Sequence, residues 1–151
     1  MSFSIRKGEY KDLSSALALV RELAVYEREP EAVTASLQDY QEAYQEGIFE
    51  ILVAETENQV IGLMLFYMTF STWRGKMLYL EDFIVTEHWR GKGVGSALYH
   101  RFMEICKEKR AVLAKWQVLN WNDPAIDFYE KRGVIVENDW LNCKKFMNSS
   151  L

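Results

Sequence analysis

The sequence predicts an α/β fold in which a mixed β-sheet is flanked by helices, in the order β-α-α-β-β-β-α-β-α-β. Three observations lead to this prediction. Runs of strand type alternate with runs whose apolar residues recur at helical spacing. A glycine-rich turn at residues 91–95 joins an extended apolar run to a strongly helical run. The 151 residues match the commonest size of one domain. We therefore expect a single domain over residues 1–151.

The N-terminal third is predicted to contain one short strand and two helices. The strand covers residues 4–7. Asp12 can cap the first helix because the apolar residues after it recur at helical spacing, and Pro30 ends that segment. Thr34 can cap a second helix that stops at Gly47, since glycine is the preferred residue just past a helix end.

The middle of the chain is predicted to form a three-strand meander and a helix. The runs 48–55 and 60–70 are rich in β-forming residues, and the short polar turn 56–59 between them indicates a hairpin. A second turn leads to the strand 76–85. The helical run 97–110 then follows the glycine-rich turn.

The C-terminal part is predicted to contain a strand, a helix and a final strand. The strand covers residues 111–119. The helix that runs to Arg132 is predicted to have Asp123 as its N-cap, Pro124 at its first position and Gly133 just past its end. The segment 134–146 should be strand. Parallel strands would flank the helix 97–110, so a ligand crevice is expected at their carboxyl ends.

Composition excludes several classes of function. The net charge of −4 argues against nucleic-acid binding. No run of 18 apolar residues predicts a membrane span, and the N-terminus resembles a strand entry more than a signal peptide. The 2 cysteines cannot frame a disulfide-rich fold, and the 2 histidines form no metal-binding motif. We expect a cytoplasmic protein without a metal, whose acidic surface suits a cationic substrate.

The segment Arg90-Gly91-Lys92-Gly93-Val94-Gly95-Ser96 predicts an anion site. Glycines allow close approach of the backbone, and the first N–H groups of a helix attract phosphate groups. The spacing fits neither the P-loop nor the Rossmann fingerprint. Arg90, Gly93 and Gly95 fill the pattern [RQ]-x-x-G-x-[GA], which resembles the acyl-CoA signature of the GNAT N-acetyltransferases. The alternative is an ordinary glycine-rich turn before a surface helix.

Glu81 and Asp82 are candidates for removing a proton from an amine. They interrupt an otherwise apolar strand, and neighbouring residues of a strand point to opposite faces. One of them therefore faces inward unless a bulge intervenes. We assign Glu81 as the base, acting directly or through water, and Asp82 as a contact for cationic substrate. The alternative is a pair of solvated acids near a strand end.

The segment 120–133 resembles the signature N-x-x-[AS]-x-x-[FL]-Y-x-[KR]-x-G of the last helix in GNAT enzymes. The resemblance implies that the Tyr129 phenol reaches the CoA sulfur and protonates the leaving thiolate. It also implies that the Asn122 side chain helps to hold the cofactor arm. The alternative for Tyr129 is a core residue beside Phe128.

A closer resemblance extends over nearly the whole chain. The segments 78–83, 90–96 and 121–133 resemble the spermidine/spermine (diamine) N-acetyltransferases and their thialysine-acetylating relatives. The segment 22–27 resembles that family's first helix, which implies that Tyr26 and Glu27 contact the amine. One acidic substrate contact of the animal enzymes falls on Asn138. The resemblance also implies a homodimer.

The resemblance implies acetyl-CoA as the acetyl donor. It assigns cofactor contacts to Phe83, Ile84, Val85, Arg90, Gly91, Lys92, Gly93, Val94, Gly95, Ser96, Asn122 and Tyr129. A backbone N–H in the strand segment 83–85 would meet the developing oxyanion. Substrate contacts fall on Tyr26, Glu27, Glu81 and Asp82.

The leading hypothesis is an acetyl-CoA-dependent N-acetyltransferase that acetylates a primary amine of a small di- or polyamine, by direct attack in a ternary complex. A second hypothesis is a GNAT enzyme that acts on another amine: a thialysine- or lysine-like amino acid, an aminoglycoside or a protein amino group. The third is a CoA-binding sensor without turnover. The presence of both Tyr129 and Glu81 argues against a sensor, which needs neither.

Overall fold

The computed structural model describes residues 2–147. These residues form two compact units, which meet in the sequence between Gln117 and Val118. In the described residues, the first unit contains a mixed sheet with helices, and the second contains the last helix and the segment that follows it.

The sheet of the first unit has five strands, which lie side by side in chain order within the described residues. They are β1 Ser4–Lys7, β2 Glu50–Thr56, β3 Gln59–Ser71, β4 Gly75–Val85 and β5 Leu113–Lys115. Neighbours from β1 to β4 are antiparallel, whereas β5 runs parallel to β4. This mixed α/β architecture confirms the predicted fold class.

The helices of the first unit are α1 Leu13–Tyr26, α2 Leu37–Gln45 and α3 Val94–Glu108. The helix of the second unit is α4 Asp123–Glu130. Short 3₁₀ turns cover Tyr10–Asp12, Pro30–Ala32 and Glu87–Trp89. The helix α3 connects the parallel pair β4 and β5, as predicted for the helix after the glycine-rich turn.

The alternation of side chains along β2 sorts the core into two layers. Leu52 and Ala54 belong to the layer on the α3 face, and Ile51 and Val53 to the layer on the α1 face. The α3 layer also contains Phe66, Leu78, Leu98 and Phe102, and the α1 layer also contains Leu13, Ala16, Leu63 and Ile84. Buried apolar side chains therefore cover both faces of the sheet. Burying one large aliphatic side chain stabilises the folded state by about 1.5–3 kcal/mol.

Asp12 occupies the N-cap position of α1 as predicted, but without a capping bond from its side chain, and the cap predicted for α2 at Thr34 is wrong. The Asp12 side chain makes no cap bond to α1, because its carboxylate accepts two hydrogen bonds from the Arg6 guanidinium, at 2.8 and 2.9 Å. Ser36, and not Thr34, caps α2: the Ser36 hydroxyl accepts the Asp39 N–H at 3.1 Å, and the Asp39 carboxylate accepts the Ser36 N–H at 2.7 Å. The Asp12 carboxylate therefore binds Arg6, and the Asp39 carboxylate completes the cap of α2. Helical spacing alone predicts neither contact.

The C-terminal third differs most from the prediction. The strand predicted at 111–119 is reduced to β5, and the strand predicted at 134–146 does not form. An extended segment needs the N–H and C=O groups of a neighbouring strand, and no such ladder forms with 134–146 in the described residues. Its large apolar side chains are accordingly exposed, including Trp140 at 76% and Leu141 at 89%.

Candidate active site

The glycine-rich turn follows β4 directly and leads into α3. The backbone passes from Val85 through the 3₁₀ turn Glu87–Trp89 to Arg90 and then to Gly91 and Gly93. Both glycines have positive φ values, 75° and 86° respectively. Because side chains with a Cβ rarely adopt this left-handed conformation, the path of the turn depends on glycine at these two positions.

Gly93 is the N-cap of α3, so the helix begins at Val94 and not at Ala97 as predicted. The Ala97 N–H donates to the Gly93 carbonyl at 3.1 Å and opens the helical ladder. The amides of Val94 and Gly95 precede that bond and lie at the positive end of the helix dipole. Gly95 has room for a Cβ, which would lie 3.7 Å from Phe83 and Val85. This arrangement fits a phosphate group.

The Arg90 side chain folds back onto the protein. Its Nε donates to the Val85 carbonyl at 2.9 Å, and its guanidinium lies 3.5 Å from the Glu22 carboxylate. It also lies over the Tyr26 ring, 5.2 Å from the ring centre. Lys92 is placed differently, with its ammonium 5.4 Å from the centre of the Trp89 ring. The two cations of the motif therefore occupy different surroundings.

The strand β4 carries a bulge at Glu81. Asp82 pairs with Leu65 and Leu80 pairs with Phe66, so Glu81 is the extra residue of β4. The ladder between β4 and β5 ends at Tyr79, whereas β4 itself continues to Val85. The bulge thus lies just beyond the point where β5 leaves β4. A bulge at such a place re-aims side chains toward a site.

The two neighbouring acids lie in different environments. Glu81 is exposed, whereas Asp82 is half-buried. Burial, together with the nearby charges of Glu81 and Glu27, raises the pKa of Asp82 from 3.8 to about 7. Burial also raises the pKa of Glu27. The fold therefore brings Glu27, at the end of α1, within electrostatic range of the pair on β4.

Tyr67 on β3 contacts Glu81 across the sheet. Its hydroxyl donates to the Glu81 Oε1 at 3.0 Å, and its ring stacks on Tyr79 with ring centres 5.6 Å apart. Burial and this hydrogen bond raise the pKa of Tyr67 to about 12, so the phenol remains a donor at neutral pH. Sequence reasoning missed Tyr67, because its contact depends on the register of β3 against β4.

Sequence reasoning also missed the role of Glu22. Its carboxylate accepts the Thr86 hydroxyl at 2.8 Å and the Glu87 N–H at 3.0 Å. A cavity of about 530 Å³ is lined by Glu22, Thr86, Glu87 and His88. The long separation along the chain left no local signal for these contacts.

Two predicted site residues, Asn122 and Tyr129, lie in the second unit. Asn122 is the N-cap of α4, and its side-chain oxygen accepts the Ala125 N–H at 3.4 Å. Asn122, and not Asp123 as predicted, is therefore the N-cap, and Pro124 lies in the first turn of the helix. Tyr129 lies near the end of α4, where its carbonyl accepts the Val134 N–H at 3.2 Å. The helix ends at Glu130, two residues before the predicted end at Arg132.

The described residues contain no group of three or more His, Cys, Asp or Glu side chains that could hold a metal ion. Within the same range, 2–147, no helix has both the length and the apolar character needed to cross a bilayer.

Comparison with known proteins gives one family and several relatives. A model of the acetyltransferase (GNAT) family matches residues 16–134. The thialysine N-epsilon-acetyltransferase of Bos taurus is 33% identical over 97% of this chain and 94% of its own length. The spermidine/spermine N(1)-acetyltransferase-like protein 1 of Homo sapiens is 31% identical over 88% of this chain, but over only 20% of its own length.

Solved structures share the fold. An aminoglycoside acetyltransferase, meta-AAC0020, from an uncultured soil metagenomic sample superposes with a TM-score of 0.80. The match covers 97% of both chains at 20% identity, so it concerns the fold alone. Because the family model spans most of the chain and the bovine relative exceeds 30% identity over nearly its whole length, this chain is an N-acetyltransferase that belongs to the GNAT family.

Proposed function

We propose that this enzyme transfers the acetyl group of acetyl-CoA to a primary amine of a small di- or polyamine, by direct attack in a ternary complex. The observation that carries the proposal is the acidic group of Glu27, just past the end of α1, and Glu81 and Asp82, on the strand that leads into the glycine-rich turn. Three carboxyl groups close together favour a ligand that carries several positive charges.

The glycine-rich turn supports acetyl-CoA as the donor. Enzymes of this family use acetyl-CoA, which supplies an activated thioester. Residues 91–96 would hold the pyrophosphate, because Gly91 and Gly93 have positive φ values and the start of α3 presents N–H groups. Backbone N–H groups in the segment 83–85 would stabilise the developing oxyanion.

The proton steps fall to named side chains. An alkyl ammonium has a pKa of about 10 and must lose a proton before its nitrogen can attack. We assign that proton to Glu81, directly or through water. The amine nitrogen then bonds to the acetyl carbonyl carbon and the carbon–sulfur bond breaks. The thiolate takes a proton from the Tyr129 phenol. The attacking nitrogen still carries one proton too many after the carbon–nitrogen bond forms. Loss of that proton, through water to the Tyr129 phenolate, gives the neutral amide and restores the phenol, and Glu81 returns its own proton to solvent, so that atoms and charges balance.

Asp82 receives a different role. With a pKa near 7, it is charged in only part of the molecules at neutral pH. A cation bound beside it favours the charged form, so amine binding should release a proton from Asp82. Asp82, Tyr26 and Glu27 would hold the distal positive charges of the amine. Glu81 and Asp82 are thus adjacent acids whose environments separate their roles.

A thialysine-like amino acid is the second candidate substrate, because the bovine relative bears that name at 33% identity. Such a substrate carries an α-carboxylate, which the acidic group of Glu27, Glu81 and Asp82 would repel. A polyamine has no negative charge. The negative charge of the acidic group therefore favours a polyamine, whereas the similarity to the bovine relative favours a thialysine-like amino acid.

The test is acetyl-CoA-dependent product formation, followed by mass spectrometry. The enzyme is incubated with acetyl-CoA and either spermidine or thialysine, with Tyr129→Phe as the control variant. The proposal predicts monoacetylated spermidine as the main product, and much less of it with the variant. Efficient acetylation of thialysine with little acetylated spermidine would favour the second candidate.

We also propose that the two units act as one acetyltransferase domain in the cytoplasm, and that the enzyme is a homodimer. The family model matches residues 16–134, which include parts of both units. Phe70 and Trp73 at the β3–β4 turn are 66% and 80% exposed and could supply apolar interface area. Light scattering coupled to size exclusion will give a dimer mass if this is correct, and a monomer mass if it is not.

A further inference from the structure

Glu22 links the first helix to the turn that follows β4. Its two carboxylate oxygens accept hydrogen bonds from the Thr86 hydroxyl and the Glu87 N–H, at 2.8 and 3.0 Å. The same carboxylate lies 3.5 Å from the Arg90 guanidinium. One side chain of α1 therefore contacts three residues within the five-residue segment 86–90. That segment ends where the glycine-rich turn begins.

Arg90 is already engaged by the protein on several sides. Its Nε donates to the Val85 carbonyl at 2.9 Å, Glu22 lies beside its guanidinium, and the Tyr26 ring lies under it. A guanidinium held in this way is not free to turn toward a phosphate without breaking those contacts. The motif arginine therefore acts within the turn, and the backbone N–H groups of α3 remain to bind the anion.

We propose that Glu22 is a positioning residue that, with Arg90, fixes the segment 86–90 and so sets the geometry of the cofactor turn. This inference rests on the proposed use of acetyl-CoA. We call the contacts of Glu22 with Thr86, Glu87 and Arg90 the brace. Arg90 then has a structural role within the protein, whereas the motif alone implies that it contacts the cofactor.

The direction of the change in CoA affinity separates this inference from a simple effect of charge. CoA carries several negative charges, so simple Coulomb attraction predicts that neutralising an acid near the cofactor turn will strengthen CoA binding. The brace predicts weaker CoA binding. Glu22→Gln removes the negative charge that holds Arg90. It also places an amide NH2 group, which cannot accept a hydrogen bond, where one of the two carboxylate oxygens accepts from Thr86 or Glu87. Weaker binding on loss of a negative charge cannot come from long-range electrostatics.

The experiment measures CoA affinity by calorimetry for the wild type, Glu22→Gln, Arg90→Ala and the double variant. Glu29→Gln is the control, since Glu29 is an exposed acid just past α1 and the substitution makes the same change in charge. Glu22→Gln should weaken binding about 10-fold, in line with the loss of charge-assisted hydrogen bonds. The double variant should bind CoA about as tightly as the single variant with the lower CoA affinity, because the two residues act as one unit.

Hydrogen exchange adds a readout that separates positioning from general destabilisation. Loss of the brace should increase exchange in the peptide that contains Glu87, while exchange in β2 and β3 stays unchanged. If Glu22→Gln does not fold, Thr86→Val removes one of the three contacts more gently and should weaken CoA binding about 3-fold.

The outcomes are distinct. Unchanged or tighter CoA binding by Glu22→Gln, with a wild type that binds CoA, would overturn the brace and leave the proposed function standing. Additive losses in the double variant would also overturn it, since Arg90 would then contact the cofactor by itself. A wild type that does not bind CoA would overturn the proposed function and this inference together.

Discussion

Replacing Asp82 with Asn should remove a specific pH dependence of stability. Burial and two nearby acids raise the pKa of Asp82 from 3.8 to about 7 in the folded protein. Between these values the unfolded chain loses the proton more readily than the folded one. The free energy of unfolding therefore falls as pH rises from about 4 to about 7 and then levels off. The stabilising contribution is complete below the unfolded pKa and is lost as pH passes the folded pKa.

The size of the effect follows from the two pKa values. Each pH unit between them corresponds to about 1.4 kcal/mol, so the whole interval is worth about 4 kcal/mol. Asn cannot ionise, so Asp82→Asn should lack this loss. The free energy of unfolding of the variant, relative to the wild type, should therefore rise by about 4 kcal/mol between pH 4 and pH 8.

The assay is urea unfolding of both proteins at pH 4, 5, 6, 7 and 8. Taking the difference between wild type and variant cancels the titration of distant groups. Asp127→Asn is the matched control for the change of an aspartate to an asparagine, because Asp127 is an exposed acid on α4. A difference for Asp82→Asn that stays flat would refute the reasoning about its burial and its neighbours.

Three further predictions concern activity. Gly93→Val should abolish CoA binding in a folded protein, because its φ of 86° strains any side chain; unchanged affinity by calorimetry would contradict this. Tyr129→Phe should lower kcat by about 10²–10⁴-fold with little change in acetyl-CoA affinity, and a kcat near that of wild type would assign Tyr129 to packing. Glu81→Gln should lower kcat most near neutral pH and recover partly at high pH, where more amine is unprotonated; a uniform loss across pH would remove Glu81 as the proton acceptor.

The features that the sequence predicted well are local ones. The glycine-rich turn, the strand before it and the helix after it lie within about one supersecondary unit, and their chemistry depends on neighbouring residues. The turn accordingly has positive φ at Gly91 and Gly93, and α3 follows it. The Asp-Pro start of α4 is local in the same way.

The features that the sequence could not predict depend on long-range register. The bulge at Glu81 arises from the pairing of β3 with β4, and it gives Tyr67 its contact with Glu81. The bonds from Thr86 and Glu87 to Glu22 span more than sixty residues, at separations of 64 and 65. Side-chain alternation predicts that one acid of the pair faces inward unless a bulge intervenes; a bulge does intervene at Glu81, and Asp82 is the half-buried acid.

The wrong prediction of a final strand has a similar cause. Val134, Ile135, Val136 and Trp140 are strand-favouring residues, but a strand is stable only when a neighbour satisfies its backbone groups. Composition records the preference of the segment and says nothing of the neighbour. The same reasoning explains why β5 is limited to the three residues that pair with Met77–Tyr79.

The most direct test of the central claim is kcat/KM for a series of amines with one, two, three and four nitrogens, at fixed saturating acetyl-CoA. If the acidic group of Glu27, Glu81 and Asp82 selects polyamines, kcat/KM should rise about 5-fold or less for each added positive charge, as expected for partly exposed ion pairs. Added salt should weaken the rise, and Glu27→Gln should reduce it for spermidine and spermine while sparing the monoamine. A flat series, or reaction with amino acids alone, would contradict the polyamine proposal and leave a GNAT enzyme with a different amine substrate.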